Sequence, residues 1–144
     1  KGMIVVNSAG NDGNGEWKYI DVPADATHVL AVGAVDNQGK KAAFSSIGPS
    51  PDGRVKPEIA ALGKGTMVAS TYSLKVSRGN GTSFSSPLIC GMVASLWSAF
   101  PNKSNKEIIE AILSSSSQYE NPDDKIGYGI PDFQRAYQLL MDKP

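Results

Sequence analysis

Two short apolar runs, Ile4-Val5-Val6 and Val29-Leu30-Ala31-Val32-Gly33-Ala34-Val35, constrain the fold more than any other feature of this chain. Neither alternates apolar with polar residues, so each reads as a strand buried on both faces, the condition of a parallel sheet covered by helices. The first run stops abruptly in Ser8-Ala9-Gly10-Asn11-Asp12-Gly13, a glycine-rich turn. Strands are expected near 3–9 and 28–36, with a weaker extended stretch near 66–72, and helices near 84–100, 105–116 and 132–141. That alternation is α/β patterning. The helix borders are marked by Pro87 in a first turn, by Pro101 as a stop, by Ser104 with Glu107 as a capping box, and by Asp132 as a cap behind Pro131. The longest apolar run, Leu88 to Trp97, reads as a core helix, with Trp97 and Phe100 as core aromatics and Cys90 as core filler.

Chemistry concentrates in Gly81-Thr82-Ser83-Phe84-Ser85-Ser86-Pro87, which puts a hydroxyl on a glycine-led turn directly before that helix. A serine hydroxyl is a weak nucleophile and needs a base beside it and donors aimed at the charge that develops on the attacked carbonyl. The free N–H groups of a helix start can supply one such donor. Gly81 leaves room for a substrate carbonyl to approach. The competing reading of Ser83 is a helix cap, and from this heptad alone both stand. A phosphate cradle over Arg78 to Ser83 fails for want of the Lys-Ser/Thr ending.

Gly-Thr-Ser-x-Ser-x-Pro resembles the active-site segment of the subtilisin-like serine proteases, and four further blocks continue the resemblance in order: Ala9-Gly10-Asn11, Val22 to Val35, Phe44 to Ala60, and Gly127 to Asp132. The resemblance implies an α/β fold, the C-terminal part of a subtilisin-like three-layer arrangement with a mainly parallel sheet. In that arrangement the three expected strands would be neighbours, and the strand at 3–9 would be an exposed apolar edge. It also implies Ser83 as nucleophile and Asn11 as second oxyanion donor beside the Ser83 N–H. Ser8, Ala9 and Gly10 become one wall for the residue before the scissile bond, and Gly81 and Thr82 also contact substrate. Two positions depart from the pattern. Ala61-Leu62-Gly63 stands where Ala-Pro-Gly is usual, and Phe84 stands where many members carry an oxidisable methionine.

A triad needs a histidine and an orienting carboxylate. The single histidine, His28, opens the second apolar run and matches no catalytic motif of the resembling family, so it reads as structural or surface. Asp12, Asp36, Asp52 and Glu58 read as turn acids. The 144 residues therefore read as the C-terminal half of a subtilisin-like catalytic domain, inactive alone, with the N-terminal half and a peptide or protein substrate as partners. The alternative is a non-catalytic pseudoprotease or peptide-binding module of the same fold. An acyltransferase of another fold would need Gly-x-Ser-x-Gly, which is absent. Fourteen basic residues against fourteen acidic argue against nucleic acid, and no apolar run spans a bilayer. No metal or other cofactor is expected in the chain, although loop carbonyls before His28 leave calcium open for the complete protein. Secretion or the cell envelope follows from the resemblance alone, and self-association from the bare edge.

Overall fold

The two apolar runs pair side by side and in parallel. In the computed structural model, which describes residues 2–142, they form β1 (Val5–Ser8) and β2 (Val29–Val35), with Val5 opposite Val29 and Ser8 opposite Val32. A third parallel strand, β3 (Ile59–Leu62), pairs with the far side of β2 from Val32↔Ile59 to Val35↔Leu62. This corrects the expected third neighbour. The stretch near 66–72 falls in β4 (Lys64–Ala69), which turns away at Gly63 and pairs antiparallel with β5 (Val76–Asn80) in a separate hairpin. Burial marks the difference. Ile59-Ala60-Ala61 is buried as an inner strand must be, whereas Met67, Tyr72 and Val76 are exposed.

Three helices complete the fold: α1 (Thr82–Ala99), α2 (Asn105–Ser114) and α3 (Phe133–Met141). Helix α2 opens with the expected capping box, Ser104 accepting from the Glu107 N–H while the Glu107 carboxylate accepts from the Ser104 N–H. Asp132 accepts from the Arg135 N–H and so caps α3. Helix α1 starts at Thr82, so Pro87 is its sixth residue and not a first-turn residue. With no N–H to give, Pro87 leaves the Ser83 carbonyl without its helical partner.

Thr82, Ser85, Ile89, Val93 and Leu96 form the buried face of α1, at the three- and four-residue spacing of one helix stripe. Ile89, Val93 and Leu96 pack against Leu30, Val32 and Ile59 of the sheet, and each contributes roughly 1.5–3 kcal/mol by leaving water. Trp97 and Phe100 pack at the margin of this core, as expected. Two expectations fail on the other face. Cys90 follows buried Ile89 by about 100° of helix turn and is exposed, so it does not fill the core. Leu88 and Met92 are each 46% exposed, so α1 buries one side only.

The sheet has unlike edges. Along β3, Tyr128 N–H donates to the Glu58 carbonyl and Ala60 N–H to the Gly129 carbonyl, so the segment 127–129 closes that side. Gly127 is required there, because at its φ of 64° a β-carbon would strike the Pro57 and Glu58 carbonyls. At the opposite edge β1 has no strand on its outer side among the described residues, and Val5 is 41% exposed.

In the turn before Lys56, Arg54 Nε donates to both oxygens of Asp52 and the Ser50 hydroxyl donates to Asp52 Oδ1. Those bonds hold the Asp52 carboxyl down at about 2, below its ordinary 3.8. Because the folded value lies below the unfolded one, the contribution is present above pH 3.8 and is lost as pH falls through about 2. A carboxyl-carbon NMR titration should place the Asp52 inflection there, and Arg54→Ala should move it up; an inflection at the ordinary value would remove this clamp from the account.

Candidate active site

The turn after β1 and the start of α1 come together although 71 residues of sequence separate them. Ala9 N–H donates to the Val32 carbonyl, extending the ladder by one step, and the chain then breaks away at Gly10 with φ 110°. Ser46, fully buried, holds the turn from below: its N–H donates to the Gly10 carbonyl and its hydroxyl accepts from the Asp12 N–H. Its neighbour Ser45 accepts from the Ala34 N–H and ties the same loop to β2. Asn11 is left projecting from this framework, exposed to solvent.

Thr82 orients the Asn11 amide. Its backbone N–H, one of the orphan donors of the α1 start, donates to Asn11 Oδ1 at 2.9 Å. Its hydroxyl accepts from the Gly10 N–H and lies 3.2 Å from both the Gly10 carbonyl and Asn11 Oδ1, two acceptors for one proton. A backbone donor fixes which end of the amide faces it, so Oδ1 points to the helix and Nδ2 is the donor left over. The next residue is Ser83. It is exposed, its hydroxyl makes no hydrogen bond among the described residues, and the N-cap is Gly81, with no side-chain cap bond. Capping therefore does not occupy the Ser83 side chain. The Ser83 N–H lies in the first helical turn, where no intrahelical acceptor exists.

Buried Thr82 is the hinge of this arrangement, a role that the sequence, which marks it only as a substrate contact, does not show. Thr82→Val keeps the shape and strands the Gly10 N–H, so urea unfolding should show a loss of about 1–3 kcal/mol, with Thr82→Ser losing less than about 1. Equal losses for the two would assign the effect to packing. Ser46 was also missed. Nothing in its local sequence marks a role, and only the contact across 34 residues gives it one.

The family model described as "Subtilase family" matches residues 1–129 of the 144 in this chain. The chain belongs to the subtilase family. It is 35% identical over 130 residues to Subtilisin DY from Bacillus licheniformis, covering 89% of this chain and 43% of that protein. It is 32% identical over 151 residues to the subtilisin-like protease SBT6.1 of Arabidopsis thaliana, covering 96% of this chain and 14% of that protein. Its fold matches the self-cleaved protease domain of PatA with a TM-score of 0.76 at 28% identity, over 96% of this chain and 50% of that one. This subtilase chain thus spans about half or less of the proteases it resembles, and the α/β fold with a parallel sheet is that of subtilisin-like protease domains.

The subtilase's one histidine is elsewhere. His28 is exposed at the N-terminal end of β2, whereas Asn11 follows the C-terminal end of the parallel strand β1, so the length of a strand, roughly 20 Å, separates the two ends. His28 lines a cleft of 480 Å³ together with Glu58, Lys106, Tyr119 and Tyr128, and that cleft contains none of the candidate site residues. Among the described residues no group of three or more His, Cys, Asp or Glu side chains could hold a metal. The Ala26 carbonyl, in the loop before His28, accepts from the Lys56 ammonium, as does the Val29 carbonyl. No helix among them is long and apolar enough to cross a membrane.

Proposed function

We propose that this chain supplies the nucleophile and the oxyanion-binding half of a serine endopeptidase. The observation that carries the reading is the Thr82-to-Asn11 hydrogen bond, which turns the Asn11 Nδ2 donor outward beside a helix start whose second residue is the unbonded Ser83. Ser83 Oγ attacks the scissile carbonyl, and the carbonyl oxygen takes up negative charge between Asn11 Nδ2 and the Ser83 N–H. The developing charge also meets the positive end of the α1 dipole. Ser8, Ala9 and Gly10 present the wall for the residue before the scissile bond, and Gly81, buried and without a side chain, leaves the approach to Ser83 open.

The base that takes the Ser83 proton, and the carboxylate that orients it, come from residues outside this chain, because His28 lies at the opposite end of the sheet. The same missing part covers the free edge of β1 and the bare side of α1 around Leu88 and Met92. Alone, the chain is inactive and self-associates through those surfaces. The complete protein acts on peptides or proteins, outside the cell or at its envelope.

A fluorophosphonate probe tests this. Ser83 should be modified in the complete protein and not in the isolated 144 residues, as read by mass mapping of the labelled peptide. A folded, fully processed protein that takes no label at Ser83 would instead be a non-catalytic member that binds peptides.

A further inference from the structure

The turn that carries Asn11 brings a second, distant residue to the same place. Asp21 N–H donates to the Ala9 carbonyl at 3.0 Å, which seats Asp21 beside the end of β1. Its carboxylate then lies directly against Gly10. A β-carbon at position 10 would collide with that carboxylate and would come within 2.7 Å of Ser46 Oγ. Gly10 is thus the thin part of the proposed wall, with a negative charge pressed against it, one residue before the Asn11 donor.

The fold makes no use of that charge. Asp36, Asp52, Asp123 and Asp132 each accept hydrogen bonds that hold their own turns or caps. The Asp21 carboxylate accepts none and forms no ion pair among the described residues. Partial burial, and then the nearby Asp12 charge, push its carboxyl above the ordinary value, so its ionised form is penalised as the site stands. A cation placed against it would relieve both effects, and Lys18, the one cation between the two acids, lies over the Tyr19 ring and forms no ion pair with either among the described residues.

Resting on the protease reading above, we propose that Asp21 selects the substrate residue before the scissile bond, receiving the ammonium of a lysine or the guanidinium of an arginine across the wall of Ser8, Ala9 and Gly10. Only these two side chains combine a permanent positive charge with a stem long enough to lie along an apolar wall and present its charge at the far end. Glutamate at that substrate position would face two carboxylates and is rejected.

The test compares the complete protein with its Asp21→Asn variant on peptides that differ only in that residue, as lysine, arginine, leucine or glutamate, with fluorophosphonate titration of Ser83 counting active sites. The unsubstituted protein should favour lysine and arginine. Asp21→Asn should lower kcat/KM for those two by roughly 30- to 100-fold while the leucine peptide changes less than about threefold, since the amide keeps the shape and loses only the charge. Lysine and leucine peptides falling together, or leucine preferred from the start, would overturn the assignment of Asp21 while Ser83 labelling upholds the protease. Absence of both labelling and cleavage would overturn the protease reading and this inference with it.

Discussion

Ser83→Ala in the complete protein should lower peptide turnover by about a millionfold and abolish fluorophosphonate labelling, a magnitude that is subtilisin's own and is carried over to this relative. The same substitution should leave stability within about 0.5 kcal/mol, because it alters an exposed side chain. Those two outcomes together separate a nucleophile from a helix cap. A serine acting as N-cap costs about 0.5–2 kcal/mol when changed to alanine. Here Gly81 holds the cap position and the Ser83 hydroxyl bonds to nothing among the described residues, so the stability term is absent and the chemical term is large. Turnover that survived in Ser83→Ala would move the nucleophile elsewhere. A stability loss without a loss of turnover would return Ser83 to the capping role.

Lys56→Met should be the most destabilising single change among the charged residues, by about 3–5 kcal/mol in urea unfolding. The Lys56 side chain is fully buried and Glu58 beside it is 17% exposed. The ammonium bonds the Ala26 and Val29 carbonyls at 3.0 and 2.9 Å and pairs with Glu58 Oε1, while Glu58 Oε2 accepts from the Ala31 N–H at 2.7 Å. One pair thus staples the loop before β2, the strand itself and the start of β3. Methionine fills the space and leaves a buried carboxylate with two unsatisfied carbonyls.

The penalty should depend on pH. Burial already pushes the Glu58 carboxyl above its ordinary 4.5, with the Lys56 ammonium pulling it back, and removing the ammonium raises it further. A carboxyl whose folded value exceeds the unfolded one stabilises fully below the unfolded value and loses that contribution as pH rises through the folded one. The Lys56→Met loss should therefore be least below pH 4.5 and grow toward neutrality, and adding Glu58→Gln should remove the pH dependence. A loss under about 1 kcal/mol at neutral pH would show that the pair is not a staple.

Much of the fold was legible because its signals are local. The capping box at Ser104 and Glu107 and the cap at Asp132 span three residues each, and the apolar runs of β1 and β2 declare burial on both faces without reference to any partner. Ile59-Ala60-Ala61-Leu62 was not recognised as a strand because four residues, two of them alanine, carry almost no periodicity; its pairing with β2 makes it one. Lys56 had no mark of burial, since a lysine between a valine and a proline in a turn-rich stretch reads as solvated until three acceptors converge on it. Cys90 and Leu88 went wrong for the converse reason: an apolar run announces a helix, but which side of it is covered depends on what stands beside it.

By itself the sequence determined the α/β class, the N-terminal caps of α2 and α3, the family, and the pair of residues, Ser83 and Asn11, on which a proposal can rest, since each follows from neighbours within a few positions or from an ordered set of short motifs. Only the tertiary structure decided that Asn11 is held by Thr82 from 71 residues away, that Ser83 is free of capping, that Asp21 presses on Gly10, and that Lys56 is buried. Those are contacts between separate segments, and a hydrogen bond or a desolvated charge exists only once the packed sheet brings both partners to one point.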